Sequence, residues 1–245
     1  MKRIFILSMF ITSLTVVSQE EVLLRLNYTE GDQYSIKTEQ KQNSGLQGGM
    51  SMNMTMDMIV SEVSTDTIKT ESKIASIAMN MMRGEMSMSY DSSMEEEDLD
   101  QMGLMLKSQF DPMMDAIILN TSDKFGNVIQ TTIEPAIPAL DRITSYSSTI
   151  YPEEKVSVGS SWTSENDNQG MKMSTTYTVT EIKDGMLYLD ITGTISGQGS
   201  GSLKGTSEIE LSSGLSKKRS IKMTIDGQDG INANINSNVT ITKVE

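Results

Sequence analysis

Methionine occupies every second position from Met50 to Met58, and Ser51, Asn53, Thr55 and Asp57 fill the positions between. Side chains alternate faces along a strand, so this stretch predicts one strand with a sulfur-lined face and a wet face. A helix would spread the same methionines around its circumference. The next segments keep the rule. Ile68 to Met81 brings Ile77, Met79 and Met81 into phase, and Glu85 to Tyr90 does so for Met86, Met88 and Tyr90, with turns at Thr65-Asp66-Thr67 and Arg83-Gly84. Paired as a meander, the three faces form one apolar patch. Upstream, Val22–Leu26 and Tyr34–Thr38 read as strands on either side of a turn at Glu30-Gly31-Asp32.

After Ser92 the period changes. Ser93 with Glu96 three residues on has the form of a capping box, and acidic residues crowd the turn that follows. Leu99, Met102, Met105, Leu106, Phe110 and Met113 then fall at spacings of three and four, predicting an amphipathic helix from Ser93 to Phe110 that Asp111-Pro112 ends or kinks. Ala116–Leu119 and Val128-Ile129 predict a hairpin around Asp123–Asn127. Ile137, Leu140, Ile143 and Tyr146 predict a second, shorter helix over 136–146. From Met171 to Ile241 apolar residues hold to odd positions through one strand after another, with Gly-containing turns every 10–14 residues or so, the spacing of consecutive hairpins.

The two halves look alike. Gly31-Asp32-Gln33-Tyr34 opens the first as Gly159-Ser160-Ser161-Trp162 opens the second, and a Met-bearing strand with a returning strand follows in each. The expected fold is mainly β (α+β): a strongly curved antiparallel sheet or open half-barrel built from two meander repeats, about 20–148 and 149–245, with two amphipathic helices on its concave face.

Composition narrows the chemistry. The 245 residues include no cysteine and no histidine, which removes disulfides, zinc sites built on those residues, His-based general bases and Ser-His-Asp triads. The net charge of −13 disfavours nucleic acid and anionic membrane surfaces. Lys2-Arg3 followed by an apolar run to Val17 has the shape of a signal peptide spanning residues 1–19, cleaved near Gln19. The run is shorter than the ~20 apolar residues of a membrane span, so no transmembrane segment is expected in the mature chain. Cleavage would take the balance from −13 to −15 by removing Lys2 and Arg3. The expected location is the periplasm or the exterior.

Tyr151-Pro152, Val158-Gly159-Ser160-Ser161-Trp162 and Ser213-Gly214-Leu215 resemble the motifs of an uncharacterised family, a domain of unknown function, of secreted Gram-negative bacterial proteins. Two positions depart from its pattern, Ser160 for Asp and Ser216 for Pro. More loosely, a long meander with helices across one face resembles the LolA/LppX-like periplasmic carriers of lipoproteins and lipids. These resemblances imply an exported β-rich fold and no particular reaction.

The unusual surface is the methionine patch. Three readings compete for it. It is the filled core beneath a helix, or one wall of a cavity for an apolar ligand, or a set of soft thioether ligands for Cu(I) or Ag(I). The candidate ligand-binding residues are Met50, Met52, Met54, Met56, Met58, Met79, Met81, Met86 and Met88 on the strands, with Leu99, Met102, Leu106 and Phe110 on the helix. Small inward residues Gly193, Gly205 and Ser207 would leave further room in the second half. The acidic run Glu95–Asp98 is expected to be a solvated first turn and not a Ca²⁺ site, Asp226–Gly230 a plain turn, and Trp162 a core residue near Tyr151. No catalytic residues, no structural metal and no cofactor are expected. The chain reads as an exported, soluble, non-enzymatic binder of a lipid or lipidated partner. A structural or interaction protein of the cell envelope is the alternative, and the sequence names no protein partner.

Overall fold

A computed structural model describes residues 20–45, 48–137, 140, 149–168, 170–197, 199–227 and 232–244. The expected signal peptide lies outside them, as does most of the second expected helix.

The described residues form one open, curved antiparallel sheet of twelve strands. In chain order they are β1 (Gln33–Asn43), β2 (Gly49–Val63), β3 (Thr67–Arg83), β4 (Met86–Asp91), β5 (Ile117–Asp123), β6 (Val128–Glu134), β7 (Ser161–Asn168), β8 (Met171–Lys183), β9 (Met186–Gly197), β10 (Gly199–Glu210), β11 (Leu215–Gly227) and β12 (Asn232–Val244). Their spatial order is β6-β5-β3-β2-β1-β12-β11-β10-β9-β8-β7. Each half is thus a meander, and the first and last strands join them along the antiparallel pair β1·β12. β3 branches the first half. Its early residues pair with β5 and its late residues with β4. Between them Ser92 clamps Ile77, donating from its backbone N–H to the Ile77 carbonyl and accepting from the Ile77 N–H on its hydroxyl.

Directly opposed residues share a face, so the register traces rows across the sheet. One row runs Ile77, Met54, Thr38, Val239, Arg219, Ser207, Leu189, Val179. Buried residues at both ends of this row show that one face carries all the core. The opposite face is polar, with hydroxyl pairs such as Ser161–Thr178 at 2.8 Å and Thr163–Thr176 at 3.1 Å.

Three layers cover the apolar face. Helix α1 (Gln101–Asp115) lies on the β2–β4 region, burying Leu106 and Met113 against Met54, Ile77, Met79 and Tyr90. The segments around Val22–Leu26 and Tyr151–Val156, joined by the antiparallel bridge Val22–Val156, cover Leu187, Leu189, Ile191 and Leu203. Leu26 and Tyr28 close the end near Tyr34, Val60 and Ile68. Each large apolar side chain fully buried in these layers contributes about 1.5–3 kcal/mol.

Several expectations are corrected. Val22–Leu26 is an irregular covering segment with a single bridge and not a sheet strand, because its apolar residues serve to bury the sheet face. Ser93 caps nothing. Its N–H and hydroxyl both donate to Asp91 Oδ1, at 2.9 and 2.7 Å. Glu96–Asp98 is a short 3-10 turn with exposed residues, and α1 starts later, with the Asp100 carboxylate accepting from the Gly103 N–H at 2.7 Å. Nor does Asp111-Pro112 end the helix. The helix runs through Pro112 to Asp115, and Asp111 is held by Lys107 at 3.1 Å and by the Tyr90 hydroxyl at 3.3 Å. Among the described residues α1 is the one α-helix longer than a turn; the second expected helix, over 136–146, falls mostly outside them.

Candidate functional site

The apolar face is not covered evenly, and the site follows from that. Within β2, Met54 is buried while Met50, Met52, Met56 and Met58 are half-buried. Met79 is buried and Met81 and Met88 half-buried. All of these point toward the same face, as the alternation requires. Met54 and Met79 are core: they sit in one cluster with Leu106 and Met113 of α1, and Tyr90 stacks on Phe110 at 5.4 Å between ring centroids. Helix and methionine strands therefore meet in direct contact there. Met58 belongs instead to the cluster of Tyr34 and Val60.

Other expected members fall away from this contact. Met86 is 66% exposed at the start of β4, next to the Arg83–Gly84 turn. On α1 Gly103, Leu106 and Met113 are buried, with Phe110 and, just before the helix, Leu99 half-buried beside them, whereas Met102 and Met105 are exposed, at 40% and 53%. The spacing of three and four fits either stripe. Packing decides between them: Leu106, Phe110 and Met113 meet Met54, Ile77, Met79 and Tyr90, while Gly103 fits closely around Leu99 and the Asp100 cap at the start of the helix.

The small residues of the second half do not leave a void. A Cβ on Gly205 would overlap the Ser220 carbonyl oxygen and lie 2.7 Å from Ile221 Cδ1. One on Gly193 would overlap the Ser174 carbonyl oxygen and lie 3.0 Å from Leu203 Cγ. Ser207 is buried, its hydroxyl 2.8 Å from that of Ser216. These residues permit close strand approach and are already packed around.

What stays open is the middle of the sheet. Ile225, Ala233, Ile235 and Val239 on β11 and β12, with Met52 and Met81, are half-buried and pack into none of the three clusters of the described residues. Register places Ile235 beside Met223 on one flank and Gln42 on the other, with Met50 next in the row. The result is an apolar floor between α1 and the Val22–Leu26 layer, interrupted by Gln40, Gln42 and Ser237. Sequence reading found these as alternating strand residues but did not select them, since alternation is the same whether or not a face is later covered. It also passed over Arg219, the cation in the middle of this face. Burial pulls the Arg219 pKa below its ordinary value, opposed by the nearby Tyr177 and Tyr151 hydroxyls. Burial likewise raises the Tyr177 pKa.

Two clefts lie away from the floor, among residues that mostly face the polar side of the sheet. One, of about 310 Å³, is lined by Asp57, Lys73, Ile74, Ala75, Met114 and Asp115 where β4 and β5 diverge from β3. The other, about 210 Å³, is lined mainly by polar-face residues such as Lys37, Glu39, Asn53, Thr55 and Ser76. Both sit at or below the lower end of the roughly 300–1,000 Å³ of small-molecule pockets, so neither encloses a whole lipid chain. No group of three or more Asp or Glu is placed to hold a metal ion among the described residues, and no helix among them is long and apolar enough to cross a membrane.

Residues 139–240 match the model of a family described as "Family of unknown function (DUF6263)". That span contains all three motif segments, and the structure gives them architectural roles. The Trp162 indole N–H donates to the Ile150 carbonyl at 2.7 Å while its ring stacks on Tyr177, and the Tyr151 hydroxyl donates to the Gly214 carbonyl. No curated protein matches the chain. Among solved structures it resembles lipovitellin, in a structure titled for lipid–protein interactions in that protein. The TM-score is 0.55 and the identity 9%, over 89% of this chain and 26% of the lipovitellin chain. The chain thus spans about a quarter of that protein, and the likeness is one of fold.

Proposed function

We propose that this is an exported, non-enzymatic protein that holds an apolar ligand, a lipid or the lipid of a modified partner, against the inner face of its curved sheet. The observation that carries the reading is the half-buried floor of Met52, Ile225, Ile235 and Val239, flanked on both sides by fully covered core. A sheet that covers both ends of one face yet leaves apolar residues half-exposed between them has surface to gain by burial, at about 25 cal/mol per Å². The lipovitellin likeness supports the reading by fold alone. The apolar, serine- and threonine-broken N-terminal run behind Lys2-Arg3 supports export. The ligand lies beside α1 and not beneath it, because Leu106 and Met113 already occupy the space over Met54 and Met79.

The test is saturable binding of a fluorescent long-chain fatty acid by the purified protein, with Ile235→Glu as the variant. The expected result is stoichiometric binding weakened by about tenfold or more in the variant, since a carboxylate in an apolar contact is costly. No saturable binding, or equal affinity in the variant, overturns it. The direct seating of α1 on the methionine strands favours a second reading, an envelope interaction protein with a filled core. Native mass spectrometry of protein from its own host would then show the chain with no small molecule.

A further inference from the structure

Three methionines on adjacent strands stand in one row. Met50 of β2 is directly opposite Met81 of β3, and Met81 is directly opposite Met88 of β4. All three are half-buried on the inner face, and the next row brings Met52 opposite buried Met79. We propose that Met50, Met81 and Met88 form a thioether site for a soft monovalent metal ion of the Cu(I) class, for which Ag(I) is the redox-inert probe.

The register makes the site. Opposed side chains on neighbouring strands have Cβ atoms about 4.5–5.5 Å apart, whereas residues two apart along one strand are about 6.6 Å apart. Flexible methionines on three adjacent strands can therefore lean their sulfurs over the central Met81, while Met50, Met52 and Met54 in sequence cannot meet as readily. Met82, adjacent in the chain, is excluded because it points to the opposite face and is 61% exposed. Thioethers are neutral and soft, so the row selects Cu(I) over hard or borderline cations. Among the described residues it has no neighbouring carboxylate cluster to attract Ca²⁺ or Mg²⁺. Met50 and Met88 pack against the edge of the α1 cluster while Met81 lies outside it, and the half-burial of all three gives an ion a way in and removes part of its water. The net charge of −13 favours arrival of a cation. This site stands independently of the apolar-ligand reading, since its ligands are sulfur atoms and its probe is inorganic.

The experiment is titration of the full chain, labelled with ¹³C-methyl methionine, with silver nitrate. The methyl resonances of Met50, Met81 and Met88 should shift together and saturate at one equivalent. Met81→Leu, which keeps apolar volume, should weaken Ag(I) binding by about tenfold or more, and Met82→Leu should leave it unchanged. Absence of saturable shifts, or shifts led by exposed methionines such as Met82, Met94 or Met105, overturns the proposal. The wild-type spectra decide this even if the Met81 variant fails to fold.

Discussion

The Tyr151 hydroxyl donates to the carbonyl of Gly214 at 2.7 Å, tying the segment that covers the second half of the sheet to the turn between β10 and β11. Both atoms are buried, and burial pushes the Tyr151 pKa up. Tyr151→Phe leaves the carbonyl without this donor and should cost about 1–3 kcal/mol. Gly214→Ala should cost more, about 3 kcal/mol or above, since Gly214 has φ +66° and a Cβ there would overlap the Arg25 carbonyl. Urea unfolding of both variants checks the order.

The start of α1 can be tested by two alanine variants. Asp100→Ala removes the carboxylate that accepts from the Gly103 N–H and should cost about 1 kcal/mol. Ser93→Ala removes only an exposed bond to Asp91 and should cost less than about 0.5 kcal/mol. Thermal melts in which Ser93→Ala proves the more damaging would place the cap where the sequence pattern puts it.

Gly205→Ala distinguishes close strand packing from spare volume. If the inner face at Gly205 were empty, a methyl would be neutral or stabilising. With the Ser220 carbonyl oxygen and Ile221 Cδ1 in the way, the variant should lose about 1–3 kcal/mol. Chemical denaturation gives the sign directly.

Acid should loosen the β1·β12 junction. Lys243 on β12 reaches Asp32, just before β1, at 2.7 Å, and this bond chiefly holds the Asp32 carboxyl below its usual range. The Thr29 N–H and Tyr34 hydroxyl add to the effect and burial opposes it. A folded pKa below the unfolded value of about 3.9 means the contribution is present above that value and fades as pH falls through the folded pKa. The pair is partly exposed, so the amount is about 1 kcal/mol or less. Asp32→Asn should remove this component. The gap in urea midpoint between wild type and variant should therefore be open at pH 6 and shrink below about pH 4. A gap that does not change with pH contradicts the assignment.

Much of the fold was legible from local pattern. The hairpin at Asp123–Asn127 was marked by its turn residues, and Asp123 does organise it, accepting from the Phe125 and Asn127 N–H groups at 2.9 Å. Trp162 was placed near Tyr151 and is bonded one residue before it. The misreadings arose where two local rules fit the same residues. Ser93 and Asp100 are both credible caps, and only the seat of the helix on β3 and β4 selects the later one. Met102 and Leu106 both fit a helical stripe, yet only Leu106 packs with Met54, Ile77 and Met79 on the strands.

The sequence alone determined which side chains of each strand share a face, because a period of two is a property of the extended backbone. It also determined that the chemistry excludes thiols and imidazoles. Which strands become neighbours, and so that Met50, Met81 and Met88 line up while Ile235 lies between Met223 and Gln42, was decided by long-range pairing. Which part of the apolar face is roofed was decided by competition among α1 and the two covering segments for the same surface. A strand's own residues carry no record of that outcome.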